Sequence, residues 1–288
     1  MDSQPTAPED WPLFDSRRPE FASPPVIEVA LSVQFVPLTT LTTAQLGLLW
    51  GCFRDEFPDT EDQPPLPHIV EAFDGALIPP PTIEILSEPQ LPRCWFKSSS
   101  DPLLIQVQRD RFVFNWRQSG SREPYPRYPT VRERFQQHFR KFERWVSDAG
   151  VGPIVPDQCE VTYVNHIVSD DGKSQGQLVP EIFATWTGLQ AGALLSAPED
   201  IGFQIRHRIE SPSGHPLGRL HIRVEPRVEI ATGRQLLRLV LTARGAPPTE
   251  DLPGILMFFD LGREYIVRGF TEITSEAAHR AWGRIDVQ

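Results

Sequence analysis

Cysteine, lysine and methionine are all scarce in this chain of 288 residues. Its three cysteines, Cys52, Cys94 and Cys159, lie far apart, and an odd, scattered set is typical of free thiols rather than of a disulfide framework. Lysine occurs only three times against 25 arginines, and we attribute this bias to genome composition rather than to mechanism.

Long apolar runs are also missing. The longest, Ile255 to Phe259, is far shorter than the roughly 20 apolar residues of a transmembrane helix, so we expect no contact with a membrane. The first ten residues contain neither a basic start nor an apolar segment, so we expect no secretory signal and a cytoplasmic location. Hydrophobic residues make up 40% of the chain and charged residues 23%, values that indicate a globular protein.

Negative charge is concentrated in the first third of the chain. Residues 1–100 contain 15 acids and 5 bases, whereas residues 101–288 contain 23 of each. An acidic front third suits a basic protein partner and discourages non-specific binding of nucleic acid, although simple solubility would explain it equally well. We therefore expect a protein partner, with homo-oligomerisation left open.

Hydrophobic spacing predicts most of the elements in the first half. Residues 1–24 have little periodicity and are expected to form a loosely ordered leader. A strand follows in PPVIEVALSVQF, and then a helix that Thr42 or Thr43 caps and Pro58 stops. A proline-rich loop is expected over 59–82. The next segments, TIEILSE, RCWFKS, LLIQVQ and RFVFNWR, are predicted to be short antiparallel strands, with a hairpin turn at Gln108 to Arg111 joining the last two.

The clearest helix runs from Pro129 to Ala149, where aromatic residues recur at helical spacing and Gly150 supplies the stop. Its aromatic stripe is predicted to be core, not a cofactor site. The opposite face is rich in arginine. That face is either a solvated surface with local ion pairs or a docking surface for an acidic partner.

The second half repeats the order of the first. It has a strand in QCEVTYVNHIV, a short helix in VPEIFATWTGL, three strands, and a long helix from Pro253 to Thr274. Ser275 caps a final short helix in which Trp282 is expected to plug the core edge. We predict an α+β fold with two tandem units, 25–158 and 159–288, whose helices pack on one face of antiparallel sheets. One continuous domain is the alternative.

Several segments together resemble one group of proteins. They are PPVIEVALSVQF, LGLLWGCFRDEFP, YPRYPTVRERF, EVTYVNHI, LTARG and REYIVRGFTEITSEAAHRAWGR, and they span almost the whole chain. In their order and spacing they are similar to a sporadically distributed bacterial family of uncharacterised proteins of about this length. The erratic occurrence of that family implies mobile or defence-associated genes, and hence an accessory protein in phage defence or an immunity (antitoxin-type) partner. The resemblance implies no catalytic residues.

Catalytic motifs are absent. Ile167 replaces the first glycine that a phosphate-binding loop ending in Gly172, Lys173 and Ser174 would need, and no nucleophile elbow, zincin or paired-cysteine motif occurs. Asp157 and Glu160 begin like a nuclease strand, but Thr162 stands where a catalytic lysine would be expected. We therefore nominate no catalytic residue and no cofactor.

Three histidines, His166, His207 and His221, lie on predicted strands, and three neutral imidazoles can hold zinc. Alternation places His207 on a buried face and His221 on a polar one. They are predicted to point in opposite directions, so no metal site is nominated.

The strongest polar pattern is an array of arginines on the three late strands. Alternation predicts that antiparallel pairing gathers these side chains on one face of the sheet, where guanidinium groups bind phosphate or carboxylate well. Tyr163 and Trp116 are expected near that face. The alternative is cross-strand ion pairing with Glu210, Glu225 and Glu229. The candidate ligand-binding residues are Arg206, Arg208, Arg223, Arg227, Arg238 and Tyr163.

Together these features favour a non-catalytic binding or interaction protein that engages a protein partner and an anionic, nucleotide-like ligand. Nucleic acid is not the expected ligand, because the chain lacks the overall basic charge of most nucleic-acid binders. Two alternatives stay open. One is an enzyme acting on nucleotides or nucleic acid through a dispersed site, and the other is a pocket for a small ligand between a long helix and a curved sheet.

Overall fold

One large antiparallel sheet with helices packed against it organises this protein. The computed structural model describes residues 8–14, 17–73, 91–99, 102–118, 124–168, 173–186, 194–230 and 232–285. The strands are β1 (Glu20–Phe21), β2 (Val26–Phe35), β3 (Asp59–Gln63), β4 (Arg93–Lys97), β5 (Leu103–Gln108), β6 (Arg111–Arg117), β7 (Pro156–Val168), β8 (Phe203–Glu210), β9 (Pro216–Val228), β10 (Gln235–Gly245) and β11 (Arg284–Ile285). The helices are α1 (Thr43–Phe53), α2 (Tyr128–Ala149), α3 (Gln175–Ile182), α4 (Leu252–Ile273) and α5 (Glu276–Ala281).

Nine strands form the sheet in the order β3-β4-β5-β6-β2-β7-β10-β9-β8, and every neighbouring pair is antiparallel. The predicted α+β class and the antiparallel pairing are therefore confirmed. In each half of the chain the first long strand, β2 or β7, lies at the centre of the sheet. The later strands of that half lie between this central strand and one edge of the sheet. Because β2 and β7 pair with each other, one sheet runs through both halves. The division into two tandem units stays a prediction.

The two long helices contact the same face of the sheet. Phe135 of α2 lies 5.9 Å from Phe112 of β6 and 4.9 Å from Phe259 of α4, measured between ring centroids. The aromatic stripe predicted for α2 is buried, as expected, and Gly150 ends the helix in the left-handed conformation at φ 61°. These aromatic rings join the two helices and the sheet into one core.

Helix α4 approaches the sheet closely at its two interior glycines. A Cβ atom at Gly262 would lie 3.1 Å from both Ala243 Cβ and Val161 Cγ2. At Gly269 it would lie 2.9 Å from Leu220 Cδ2. This close crossing explains why the helix keeps two residues of poor helix propensity.

Two elements differ from the sequence prediction. The segment expected to be a loop over 59–82 begins with β3, which pairs with β4 through Asp59 and Lys97. The short helix expected over 179–189 instead begins at Gln175, because Ser174 caps it, and ends at Ile182, because Phe183 is extended and bridges to Thr274. The strand expected over 82–88 lies outside the described residues.

The first strand of the described chain pairs with the last. Glu20 and Phe21, at the end of the predicted leader, pair with β11. The Trp282 ring lies 5.1 Å from Phe270 and 6.3 Å from Phe21, so Trp282 covers the core edge as predicted. None of the helices in the described part of the chain combines the length and the apolar character that crossing a membrane requires.

Candidate anion-binding face

The late strands carry their arginines on one side of the sheet. Leu220 of β9 lies beneath Gly269 of α4, so its sequence neighbours point away from the helices. Strand pairing places Arg206 opposite His221 and Gln204 opposite Arg223. Residues that pair directly project from the same face. The arginine face, defined by Arg206, Arg208, Arg223, Arg227 and Arg238, therefore lies opposite the helices, as alternation predicted.

Most of the arginine face is open to solvent. The side chains of Arg223, Arg208 and Arg227 are 62%, 57% and 57% exposed, and Arg206 is also exposed. Arg238, nearer the centre of the sheet, is 35% exposed. Guanidinium groups on three adjacent strands can therefore reach a partner that lies flat on the sheet.

Glu225 lies among these arginines and pairs with three of them. Its carboxylate oxygens are 2.7 Å from Arg223 Nε, 2.8 Å from Arg227 Nη2 and 3.3 Å from Arg238 Nη1. Burial alone would raise the pKa of Glu225, but hydrogen bonds from Arg227 and the charges of the neighbouring arginines hold it below its usual value. Cross-strand ion pairing thus occurs, yet one carboxylate for three guanidinium groups leaves an excess of positive charge.

The outermost arginines have little local compensation. Arg208 Nη1 lies 4.0 Å from Glu210, at the limit of an ion pair, and both side chains are exposed. Arg206 forms no ion pair with any of the described residues. The third acid considered for pairing, Glu229, accepts a hydrogen bond from Thr232 instead. Positive charge on β8 is therefore available to a partner.

The two aromatic residues expected beside the arginines lie on the other side of the sheet. Tyr163 pairs with Val29 and Leu241, and Trp116 also pairs with Val29. Both rings are buried on the helix side, with 8% and 2% exposed. The placement predicted for Tyr163 is therefore wrong. Alternation along β7 places Tyr163 on the same side as the buried Val161 and Ile167, so the strand pattern itself indicates the helix side.

A buried glutamate that the sequence analysis missed binds the remaining basic residues of the outer face. Glu71 is 5% exposed in its side chain, and its carboxylate contacts Arg219, His221 Nε2 and Arg244, the last at 3.4 Å. Arg244 also lies 2.6 Å from Glu160. These partners are more than 140 positions from Glu71 in the sequence, which is why local spacing gave no sign of the cluster.

The segment before Glu71 crosses the polar face of the sheet, held by glutamine side chains from three strands. The amide of Gln108 both accepts from the backbone N–H of Leu66 (2.9 Å) and donates to its carbonyl (3.0 Å). Gln34 does the same with Ile69, at 2.9 and 3.0 Å, and the amide oxygen of Gln158 accepts from Glu71 N–H at 3.2 Å. This segment fixes the position of the Glu71 carboxylate beside the arginine face.

The histidines do not converge on a metal site. His166 pairs with Arg238, His221 binds Glu71, and His207 pairs with Leu220 on the helix side of the sheet. His207 and His221 thus lie on opposite faces, as predicted. Within the described ranges, no three His, Cys, Asp or Glu side chains are grouped so that they could hold a metal ion.

The two acids of the candidate nuclease strand, Asp157 and Glu160, each bind a different basic residue. Asp157 lies 2.9 Å from His68 Nε2, whereas Glu160 binds Arg244. The cysteines are free, and burial raises the pKa of the Cys94 thiol to about 12, so this group is protonated at neutral pH. The Cys94 thiol is therefore not an activated nucleophile, and Asp157 and Glu160 are not arranged as a pair of metal-binding carboxylates.

Comparison with known proteins gives no relative on which to base a function. No family model, no curated protein and no solved structure matched this chain. The resemblance to a sporadic bacterial family stays a prediction from the sequence, and the functional argument depends on the site alone.

Proposed function

We propose that this chain is a non-catalytic interaction protein whose arginine face binds an acidic segment of a protein partner. The observation that carries the proposal is the pairing of β8, β9 and β10, which aligns exposed guanidinium groups on one surface. Each guanidinium can donate two parallel hydrogen bonds to a carboxylate, so the face suits a row of aspartate or glutamate side chains.

A protein partner is favoured over a nucleotide because the surface offers charge without base stacking. Recognition of a nucleotide or a single strand usually combines cations with aromatic rings on which the bases stack. The rings expected to do this, Tyr163 and Trp116, are buried on the opposite side. The net charge of the whole chain, −10, also opposes general binding of nucleic acid.

The test is a fluorescence-anisotropy titration of a labelled oligoglutamate peptide. The wild-type chain is compared with the double variant Arg206→Glu/Arg223→Glu, which reverses charge at two exposed positions on adjacent strands. We expect saturable binding to the wild type at about 0.05 M salt, weakening at about 0.5 M, where charges on the surface are strongly screened. The double variant should lose at least about tenfold in affinity.

The matched control is Arg140→Glu/Arg144→Glu, which makes the same change in net charge on the exposed face of α2. It should bind the peptide as the wild type does, apart from a small long-range effect. If the control loses binding and Arg206→Glu/Arg223→Glu does not, the docking surface is the outer face of α2 and the proposal fails. An oligothymidylate strand that binds more tightly than oligoglutamate would also contradict it.

A role in phage defence or as an immunity partner is a further part of this proposal. Its support is the family resemblance and the sporadic occurrence of that family, not the geometry of the face. Deleting the gene in its host and measuring the efficiency of phage plating would test it, with unchanged plating across a phage panel counting against the role.

A further inference from the structure

A cavity of about 350 Å³ lies on the helix side of the sheet, away from the arginine face. It is bounded by the segment around β1, the start of α2, the central strands β7 and β10, and the second half of α4. This volume lies within the roughly 300–1,000 Å³ of small-molecule sites. The apolar part of its wall is formed by Phe21, Val26, Leu241, Ile266 and Phe270.

One cation, Arg263, lines this cavity from α4. It is half-buried, and its guanidinium carbon lies 4.7 Å from the centre of the Tyr128 ring. The acids near it on α4 are already paired, Asp260 with Arg132 and Glu264 with Arg18. No carboxylate among the described residues forms an ion pair with Arg263. A half-buried guanidinium that has no carboxylate partner is suited to bind an anion.

Two tyrosine hydroxyl groups lie next to each other in the wall of this cavity. Tyr125 and Tyr163 lie 3.1 Å apart between their oxygens, and burial raises the pKa of both, so both are neutral phenols. The positive charge of Arg263 opposes the effect of burial on the Tyr163 pKa, which indicates that this guanidinium lies beside the hydroxyl. In a pair of phenols only one proton can lie between the oxygens, so one O–H is left to donate to a further acceptor.

The backbone beside the cavity is strained. Arg127 adopts φ 70°, the one non-glycine residue with positive φ among those described, and its side chain donates to the Phe21 carbonyl at 3.0 Å. Such a conformation is strained for a non-glycine residue and is concentrated at ligand sites. Here it positions Tyr125 and Tyr128 on either side of the turn into α2.

From these features we propose that the cavity binds a small amphipathic carboxylate. The carboxylate accepts from the Arg263 guanidinium and from the free O–H of the Tyr125–Tyr163 pair. The apolar body of the ligand lies against Val26, Leu241 and Ile266. Arg127 also lines the cavity, but its guanidinium donates to the backbone carbonyls of Phe21 and Ala22, so Arg263 is the cation left to bind a carboxylate. One available cation and a mainly apolar wall favour a monocarboxylate over a nucleotide or a sugar phosphate, whose charge and polarity would go largely unpaired here.

The test uses decanoate and its neutral analogue 1-decanol, each titrated into the full chain by isothermal calorimetry. We expect saturable, one-to-one binding of decanoate and at least about tenfold weaker binding of 1-decanol. Arg263→Gln should reduce decanoate affinity by at least about tenfold while leaving that of 1-decanol unchanged. Arg140→Gln, on the exposed face of α2, is the matched control and should bind both probes as the wild type does.

Folding of each variant is checked by circular dichroism and thermal unfolding. If Arg263→Gln fails to fold, the ratio of decanoate to 1-decanol affinity in the wild type still decides the matter. Val267→Trp, which fills the cavity from α4, should abolish binding of both probes. The proposal is overturned if the wild type shows no saturable decanoate binding, if 1-decanol binds as tightly, or if Arg263→Gln leaves decanoate affinity unchanged.

Discussion

Glu71 is the residue that most clearly links electrostatics to stability. Burial alone would raise the pKa of its carboxyl group, but the hydrogen bond from His221 and the charges of Arg219 and Arg244 outweigh burial and lower it. A carboxyl group whose pKa is lowered on folding stabilises the folded state above its unfolded pKa, near 4.5. That contribution is lost as the pH falls through the folded-state pKa.

Replacing Glu71 with glutamine should therefore destabilise the protein by about 2–3 kcal/mol at neutral pH, because Arg219 and Arg244 lose their counter-ion in a poorly hydrated site. The difference between wild type and variant should shrink between about pH 7 and about pH 3, as the wild-type carboxylate is protonated. Urea unfolding at about pH 7 and about pH 3 measures this difference in the free energy of unfolding.

Glu61→Gln is the control for this change. Glu61 forms an exposed ion pair with Lys97 on the edge of the sheet, so its replacement should alter stability far less. The account of Glu71 is contradicted if the two variants are equally stable at neutral pH, or if the effect of Glu71→Gln is the same at both pH values.

At the scale of elements, replacement by alanine should have opposite effects on stability at an open and at a crowded glycine of the helices. At Gly47 of α1 an added Cβ would meet nothing within 4 Å, so Gly47→Ala should stabilise the protein by about 0.5–1 kcal/mol through helix propensity. At Gly262 of α4 the Cβ would press against Ala243 and Val161 in central strands. Overpacking of about 1–3 kcal/mol should outweigh the propensity gain.

Denaturant unfolding of the two single variants measures both effects against the same wild type. The denaturant concentration at the midpoint of unfolding should be highest for Gly47→Ala, intermediate for the wild type and lowest for Gly262→Ala. Stabilisation by Gly262→Ala would show that α4 can move away from the sheet, and the close packing argued for the core would then be wrong.

Elements with a single buried face were predictable from the sequence, because burial then imposes a period on the residues. The stripe of α2 and the alternation in β9 are examples, and both elements were correctly identified. The arginine face followed from alternation in the same way. The role of Glu71 could not be predicted, because the residues around it show no periodic pattern of apolar positions. Its basic partners are distant in sequence and are brought beside it only by the fold. The placement of Tyr163 is wrong because it did not follow the alternation of β7, which groups Tyr163 with the buried Val161 and Ile167.

At the scale of the molecule, a single sheet through both halves should make unfolding cooperative. Strands β2 and β7 pair along most of their length at the centre, so neither half can lose its edge strands without exposing the core of the other. We expect one transition in urea, coincident by circular dichroism and by tryptophan fluorescence, which averages over seven tryptophans that include Trp95 in the first half and Trp282 in the second. Two separate transitions would instead support independent units at 25–158 and 159–288.

We propose that the two faces of this sheet bind different partners, an acidic peptide on the outer face and a small carboxylate beneath the helices. One crossed binding experiment tests it most directly, with oligoglutamate and decanoate each titrated into Arg206→Glu/Arg223→Glu and into Arg263→Gln. The account predicts that the first variant loses only the peptide and the second loses only decanoate. Loss of both ligands in either folded variant, or retention of both in each, would contradict it.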